Sequence, residues 1–158
     1  MRVEVIRSKK RRKTISAQQI GDDLVRVSIP ASMTKAEEDH WVDEMRKRFE
    51  KRALADRLDL HRRAVELAEQ HGFPTPSSVR WVDNQHARWG SYTPVDASIR
   101  LSSRMVGFPR WVIDAVLVHE LAHLVEHHHN ARFDALCARY PLTERATGYL
   151  LAKGFEGD

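Results

Sequence analysis

A chain of 158 residues with 42% apolar and 30% charged side chains can bury one core, so its length alone points to a single domain over residues 1–158. No stretch approaches the ~18 consecutive apolar residues of a membrane span, and the basic N-terminus lacks the apolar run of a secretory signal. No membrane partner is therefore expected, and a cytoplasmic location is. The single cysteine, Cys137, has no internal disulfide partner, which fits a reducing compartment, and a net charge of +4 mildly favours anionic partners.

Three short segments open the chain with strand character. They run through Val3, Val5 and Ile6, then from Lys13 to Ile20, then through Leu24, Val25, Val27 and Ile29, with Pro30 as the stop. The turn signal Gly21-Asp22-Asp23 joins the second to the third. Between the first two lies a basic run, Arg7, Lys9, Lys10, Arg11, Arg12 and Lys13, which a hairpin connection would expose. Such a run is more often a solvated surface than a binding site. Lys9, Lys10, Arg11 and Arg12 are the candidates for anion binding and for a weak nucleic-acid contact.

Either Ser32 or Thr34 can cap a helix, Thr34 completing a capping box with Glu37 three residues later, and no proline or glycine follows until Gly72. Nearly forty residues is long for one helix, so a break is expected near Asp56 to Leu60. Gly72, Pro74 and Pro76 end the helical stretch. Strands are expected at Ser78 to Val82, Arg88 to Tyr92 and Ile99 to Leu101. A helix should then start at Pro109, a shorter one at about Ala131, and a last one at Thr143. The pattern reads as α+β.

Five of the nine histidines lie between His119 and His129. Within that window His119-Glu120-Leu121-Ala122-His123 matches H-E-x-x-H on a strongly apolar helix. Residues i and i+4 share one helix face, so both imidazoles can reach one zinc ion. Glu120 points about 100° around the helix, where it can act as general base without ligating. Burying these groups in an apolar helix is costly unless they are satisfied, and a metal satisfies them.

Catalytic zinc needs a third protein ligand and an open position for water. The candidates are Glu126, His127, His128, His129, Asp134 and Glu144. Glu126 shares the face of His119 but lies about 10 Å along the axis, too far to share an ion. The third donor must follow a chain reversal, expected near residues 127–128, or come from another element. His129 stands ten residues after His119, a spacing that the metzincin pattern shows to be workable, although its turn glycine is Glu126 here. Glu144 is the alternative. Arg88, Tyr92 and Tyr140 are candidate donors to the charge that develops in the transition state.

Several landmarks coincide with one family. His119-Glu-Leu-Ala-His123-Leu, followed by His129-Asn-Ala-Arg-Phe133, closely resembles the YgjP-like metal-dependent hydrolases, also called the YgjP-like metallopeptidase domain. The family's "NHS..F" segment is matched by His128-His129-Asn130 and Phe133. Its "WGSC" element is matched by Arg88-Trp89-Gly90-Ser91, and its "RS.RR.T" stretch by Arg7 to Ile15. Tyr92 stands where the family has cysteine, so no thiol acts there. The resemblance runs from about residue 3 to residue 151. It implies a gluzincin-like or SprT-like zinc core with a short sheet packed on the motif helix, and kinship with SprT-like proteases that act on DNA-bound proteins.

Three functions are then in play. The first is a zinc metallopeptidase acting on peptide or protein. The second is a metal-dependent hydrolase of a nucleotide or another phosphate-bearing small molecule. The third is a nucleic-acid-associated module with structural zinc, against which Glu120 counts, since closed structural sites need no base. Trp81, Trp89 and Trp111 are expected in the core rather than as base-stacking platforms.

Overall fold

The alternation between Leu24 and Ile29 puts Val25, Val27 and Ile29 on one face. In the computed structural model, which describes residues 1–154, those three side chains are completely buried. They form the centre of the first of two compact units, residues 1–56. Its strands β1 (Arg2–Ser8), β2 (Ser16–Gly21) and β3 (Leu24–Pro30) are ordered β1-β3-β2. Strand β3 runs antiparallel to β2 through the Gly21-Asp22-Asp23 turn and parallel to β1.

The expected hairpin between the first two strands is therefore absent. Strand β3 has the only fully alternating buried face of the three and takes the centre, so the chain from β1 must cross to the opposite edge. Lys9, Lys10, Arg12 and Lys13 are exposed on that crossover, while Arg11 is half-buried and donates to the Thr14 hydroxyl at 3.4 Å. Arg7 is not part of this free charge. Its guanidinium donates to Glu38 at 2.6 and 2.9 Å and to the carbonyls of Ala31 and Met33.

Helix α1 (Lys35–Asp56) begins with the capping box read from sequence. The Thr34 amide donates to Glu37 at 2.8 Å and the Glu37 amide donates to the Thr34 hydroxyl at 3.3 Å. Met45 and Phe49 lay its sparse apolar face on the β3 core.

The second unit begins at residue 57, and the helix break falls where it was expected. Asp59 restarts the helix as N-cap of α2 (Leu60–His71), accepting from the Arg62 amide at 3.0 Å. Gly72 closes it at φ 72°, a left-handed turn in which any β-carbon would be strained. Strands β4 (Ser78–Val82), β5 (Gly90–Thr93) and β6 (Ser98–Ser102) follow, ordered β4-β6-β5, with β6 parallel to β4 and antiparallel to β5. Three helices complete the unit: α3 (Arg110–Ala122), α4 (Ala131–Cys137) and α5 (Thr143–Ala152). Among the described residues, no helix is long and apolar enough to cross a membrane.

Helix α3 is the centre of this unit, buried from Val112 to Val118 without a solvent face. Such a helix carries a charge only if the charge is paired. Asp114 is paired: Arg63 of α2 donates to both its oxygens at 2.8 Å, and the two side chains are only 6% and 20% exposed. The pair fixes the register of α2 against the helix that carries the histidines. Asp114→Ala leaves the guanidinium without its main partner in a largely dry site, and a loss of roughly 3 kcal/mol is expected. Urea unfolding tests this, with a lowered midpoint at unchanged slope as the expected outcome and an unmoved midpoint as the contrary one.

Candidate metal centre

His119 and His123 stand one turn apart at the end of α3, their ring centroids 5.1 Å apart. The helix ends at Ala122 with His123 as its cap, one further hydrogen-bonded turn carries the chain to Glu126, and the backbone bends at His128, where the reversal was expected. Hydrogen bonds from the amides of Leu124 to Leu121 and of Val125 and Glu126 to Ala122 tighten the last turn. His123 itself helps to hold the reversal, because its Nδ1–H donates to the Glu126 carbonyl at 3.2 Å. That bond sets the tautomer in which Nε2 presents its lone pair to the site.

Glu126 therefore has a part other than ligation. Its carboxylate accepts from the His128 amide at 3.1 Å, and this bond holds its pKa below the usual carboxylate range, with Asn130 and Arg132 adding. The Asn130 side chain then accepts from the Phe133 amide at 3.0 Å and starts α4. Between these two clamps His129 is turned back onto the helix. Its Nε2 lies 3.1 Å from His123 Nε2, and its ring centroid lies 5.3 Å from that of His119. Each histidine offers a nitrogen, and the three lie within 4.8 Å of one another.

Below the three rings lies Phe133. Its centroid is 4.8, 4.4 and 4.8 Å from those of His119, His123 and His129, and only 3% of it is exposed. The sequence marked Phe133 as one of an apolar stripe and as a family landmark. That it is the packing surface shared by all three imidazoles was not legible there.

The donor set fits zinc. A tetrahedral ion with Zn–N bonds near 2.0 Å holds its nitrogens about 3.3 Å apart, close to the 3.1 Å between His123 and His129, and the His119 nitrogen lies within 4.8 Å of both. Burial pushes the His119 pKa down to about 4, and the neighbouring His123 and His129 push it further in that direction. The ring is thus uncharged at neutral pH, as a ligand must be. Cys137 is no competing donor, because burial, with Asp134 and Glu120 nearby, pushes its thiol up to about 12. Asp134, Glu144, His127 and His128 are exposed and lie outside the cluster.

Glu120 is 3% exposed and faces the opposite wall, which is strand β5. Gly90 is the point of closest approach. A β-carbon there would lie 2.5 Å from Glu120 Oε1 and 3.0 Å from Cγ and Cδ, so only glycine leaves room for the carboxylate. The preceding Trp89 is buried against Phe108 at 5.5 Å, and its carbonyl accepts from the Ser102 amide at 2.8 Å, which pins the start of the strand. Here the sequence carried a signal, the Trp-Gly-Ser element, without its reason.

A cavity of about 160 Å³ opens beside His119 and Glu120, between α3, α5 and residues 87–90. Of the three candidate donors, Arg88 lines it. Tyr92 is half-buried further along β5 and stacks on His127 with centroids 6.0 Å apart. Tyr140 is placed elsewhere, its hydroxyl donating to the Trp111 carbonyl at 3.2 Å and its ring set edge-on to His71.

A family model described as YgjP-like, metallopeptidase domain, matches residues 4–150. No curated protein matches the chain. Two solved structures share the fold. The metallopeptidase zymogen abylysin of Pyrococcus abyssi is 16% identical, with a TM-score of 0.54 over 60% of this chain and 94% of its own. The metallopeptidase zymogen jannalysin of Methanocaldococcus jannaschii is also 16% identical, with a TM-score of 0.51 over 61% and 97%.

The geometry ranks three adjacent histidines. His129→Ala is expected to weaken zinc binding far more than His127→Ala or His128→Ala, whose losses should stay within about 10- to 100-fold. Chelator competition measures all three. Equal losses, or parent-like binding in His129→Ala, would assign the third position to another residue.

Proposed function

The chain belongs to the YgjP-like metallopeptidase domain family, and from that premise we propose that it is a zinc-dependent peptidase with Glu120 as general base. His119, His123 and His129 are the residues that would hold the ion. Zinc in such a site supplies a Lewis acid that acidifies water and polarises a carbonyl oxygen. The remaining work falls to the chain's own groups. Glu120 takes the proton of the attacking water and returns it to the leaving amine.

The observation that carries this reading is the placement of the base. Glu120 lies within van der Waals reach of Gly90, on a strand whose second edge has no strand partner among the described residues. An extended peptide pairing with that edge satisfies its own main-chain groups and passes directly over the carboxylate. Gly90 backbone and Glu120 carboxylate thus set the distance between the bound chain and the proton acceptor. A nucleotide would need several cations at the same place. Among the residues lining the cavity, Arg88 is the only cation, and Ala115, Val116, Ala146 and Leu150 are apolar.

Glu120→Gln keeps the shape and removes the base. It is expected to bind zinc as the parent does and to lose about 10²- to 10⁴-fold in peptide hydrolysis. Gly90→Ala, which forces the carboxylate to shift, is expected to keep the metal and lower kcat. Metal content by elemental analysis and turnover of a peptide pool and casein read both. A fully active Glu120→Gln would end the assignment of the base.

A further inference from the structure

Helix α5 is short, and Thr143, Ala146, Thr147 and Leu150 recur on one face of it at helical spacing. These residues border the cavity beside the base, across from Ala115 and Val116 of α3, and Ala146 also belongs to the buried core. The space exists because the facing positions are small. Ala115 and Ala146 are 7% and 1% exposed, and a larger side chain at either would fill the gap between the helices.

The cavity is continuous with the reacting centre, since His119 and Glu120 form part of its wall along with Gly90. A peptide lying along β5 therefore passes its mouth. At about 160 Å³ it matches a dry apolar cavity of roughly 150 Å³, a size that accepts benzene. That is room for one branched aliphatic or phenyl side chain, and the wall formed by Ala115, Val116, Ala146 and Leu150 offers such a side chain apolar contact.

We propose that this cavity is the specificity pocket, taking a large apolar side chain (leucine, methionine or phenylalanine) from the substrate residue next to the cleaved bond. Ala115 and Ala146 set its depth. The inference rests on the peptidase reading, to which it adds a substrate class. Selectivity is bounded by what an apolar pocket can do: each methylene that finds or loses its place changes the rate about 10- to 200-fold.

Two measurements on the zinc-loaded chain separate this inference from the reading beneath it. In the first, a degenerate peptide pool is digested and the cut sites are read by mass spectrometry. Leucine, methionine or phenylalanine should be enriched at one position flanking the cut by tenfold or more over alanine. Ala146→Leu should bring that ratio toward one. Thr147→Phe, on an exposed position of the rim, should do the same if the first variant folds poorly. In the second, calorimetry compares acetohydroxamate with the hydroxamates of 4-methylpentanoic and 3-phenylpropanoic acid. Affinity should rise at least tenfold from the first to the larger two in the parent, and the rise should disappear in Ala146→Leu. Cleavage without size preference, or a preference that survives both variants, overturns the pocket. Graded hydroxamate binding without any peptide cleavage upholds the pocket and overturns the peptidase reading.

Discussion

A straight helix can bring only two of three imidazoles to one point. Positions i and i+4 share a face, and the next residue on that face lies another turn up the axis, beyond reach of the same ion. Much of the local structure after His123 answers that constraint. The helix stops at the second histidine instead of running on through the apolar Leu124 and Val125. His123 donates to the Glu126 carbonyl, Glu126 accepts from the His128 amide, and Asn130 caps the following helix. Each of these bonds spans two or three residues, so the reversal is fixed locally and cheaply. Phe133, delivered by the new helix, then backs all three rings.

Glu120, the proposed base, is positioned by a second close approach, between the sheet and α3. Glu120 could swing freely were it on a surface helix. Buried against the backbone of Gly90, it has little room to do so. The pinned start of β5 and the Arg63–Asp114 pair hold the two sides of that contact: one fixes the strand, the other the helix. The proposed proton transfer would rest on these rigid neighbours, in keeping with the precision such a step demands.

Local chemistry was what the sequence showed best. The H-E-x-x-H spacing, the Thr34–Glu37 box and the Gly72 stop are each written within a few residues, and the helix break falls inside the expected Asp56 to Leu60 window. His129 was singled out among three neighbours by spacing and family likeness, and the structure brings it to the other two. What required distant partners was hidden. Strand β1 pairs with β3, because centrality depends on comparing three buried faces rather than on sequence order. The early end of α3 could not be read, since Leu124 and Val125 continue the helical pattern and only the 126–130 clamp stops it. The Trp-Gly-Ser element was visible as a motif, but the reason for its glycine lies thirty residues away on another element.

The central claim, that three imidazoles from a helix and its reversal share one ion beside a non-ligating glutamate, is tested most directly by anomalous diffraction at the zinc edge from crystals of the zinc-loaded chain. One strong peak is expected at about 2.0–2.1 Å from a ring nitrogen of each of His119, His123 and His129, with the fourth position facing Glu120 and filled by no protein atom. A peak bound by Glu120 itself, by His127 or His128, or by only two of the three histidines with Glu144 completing the set, would contradict the account.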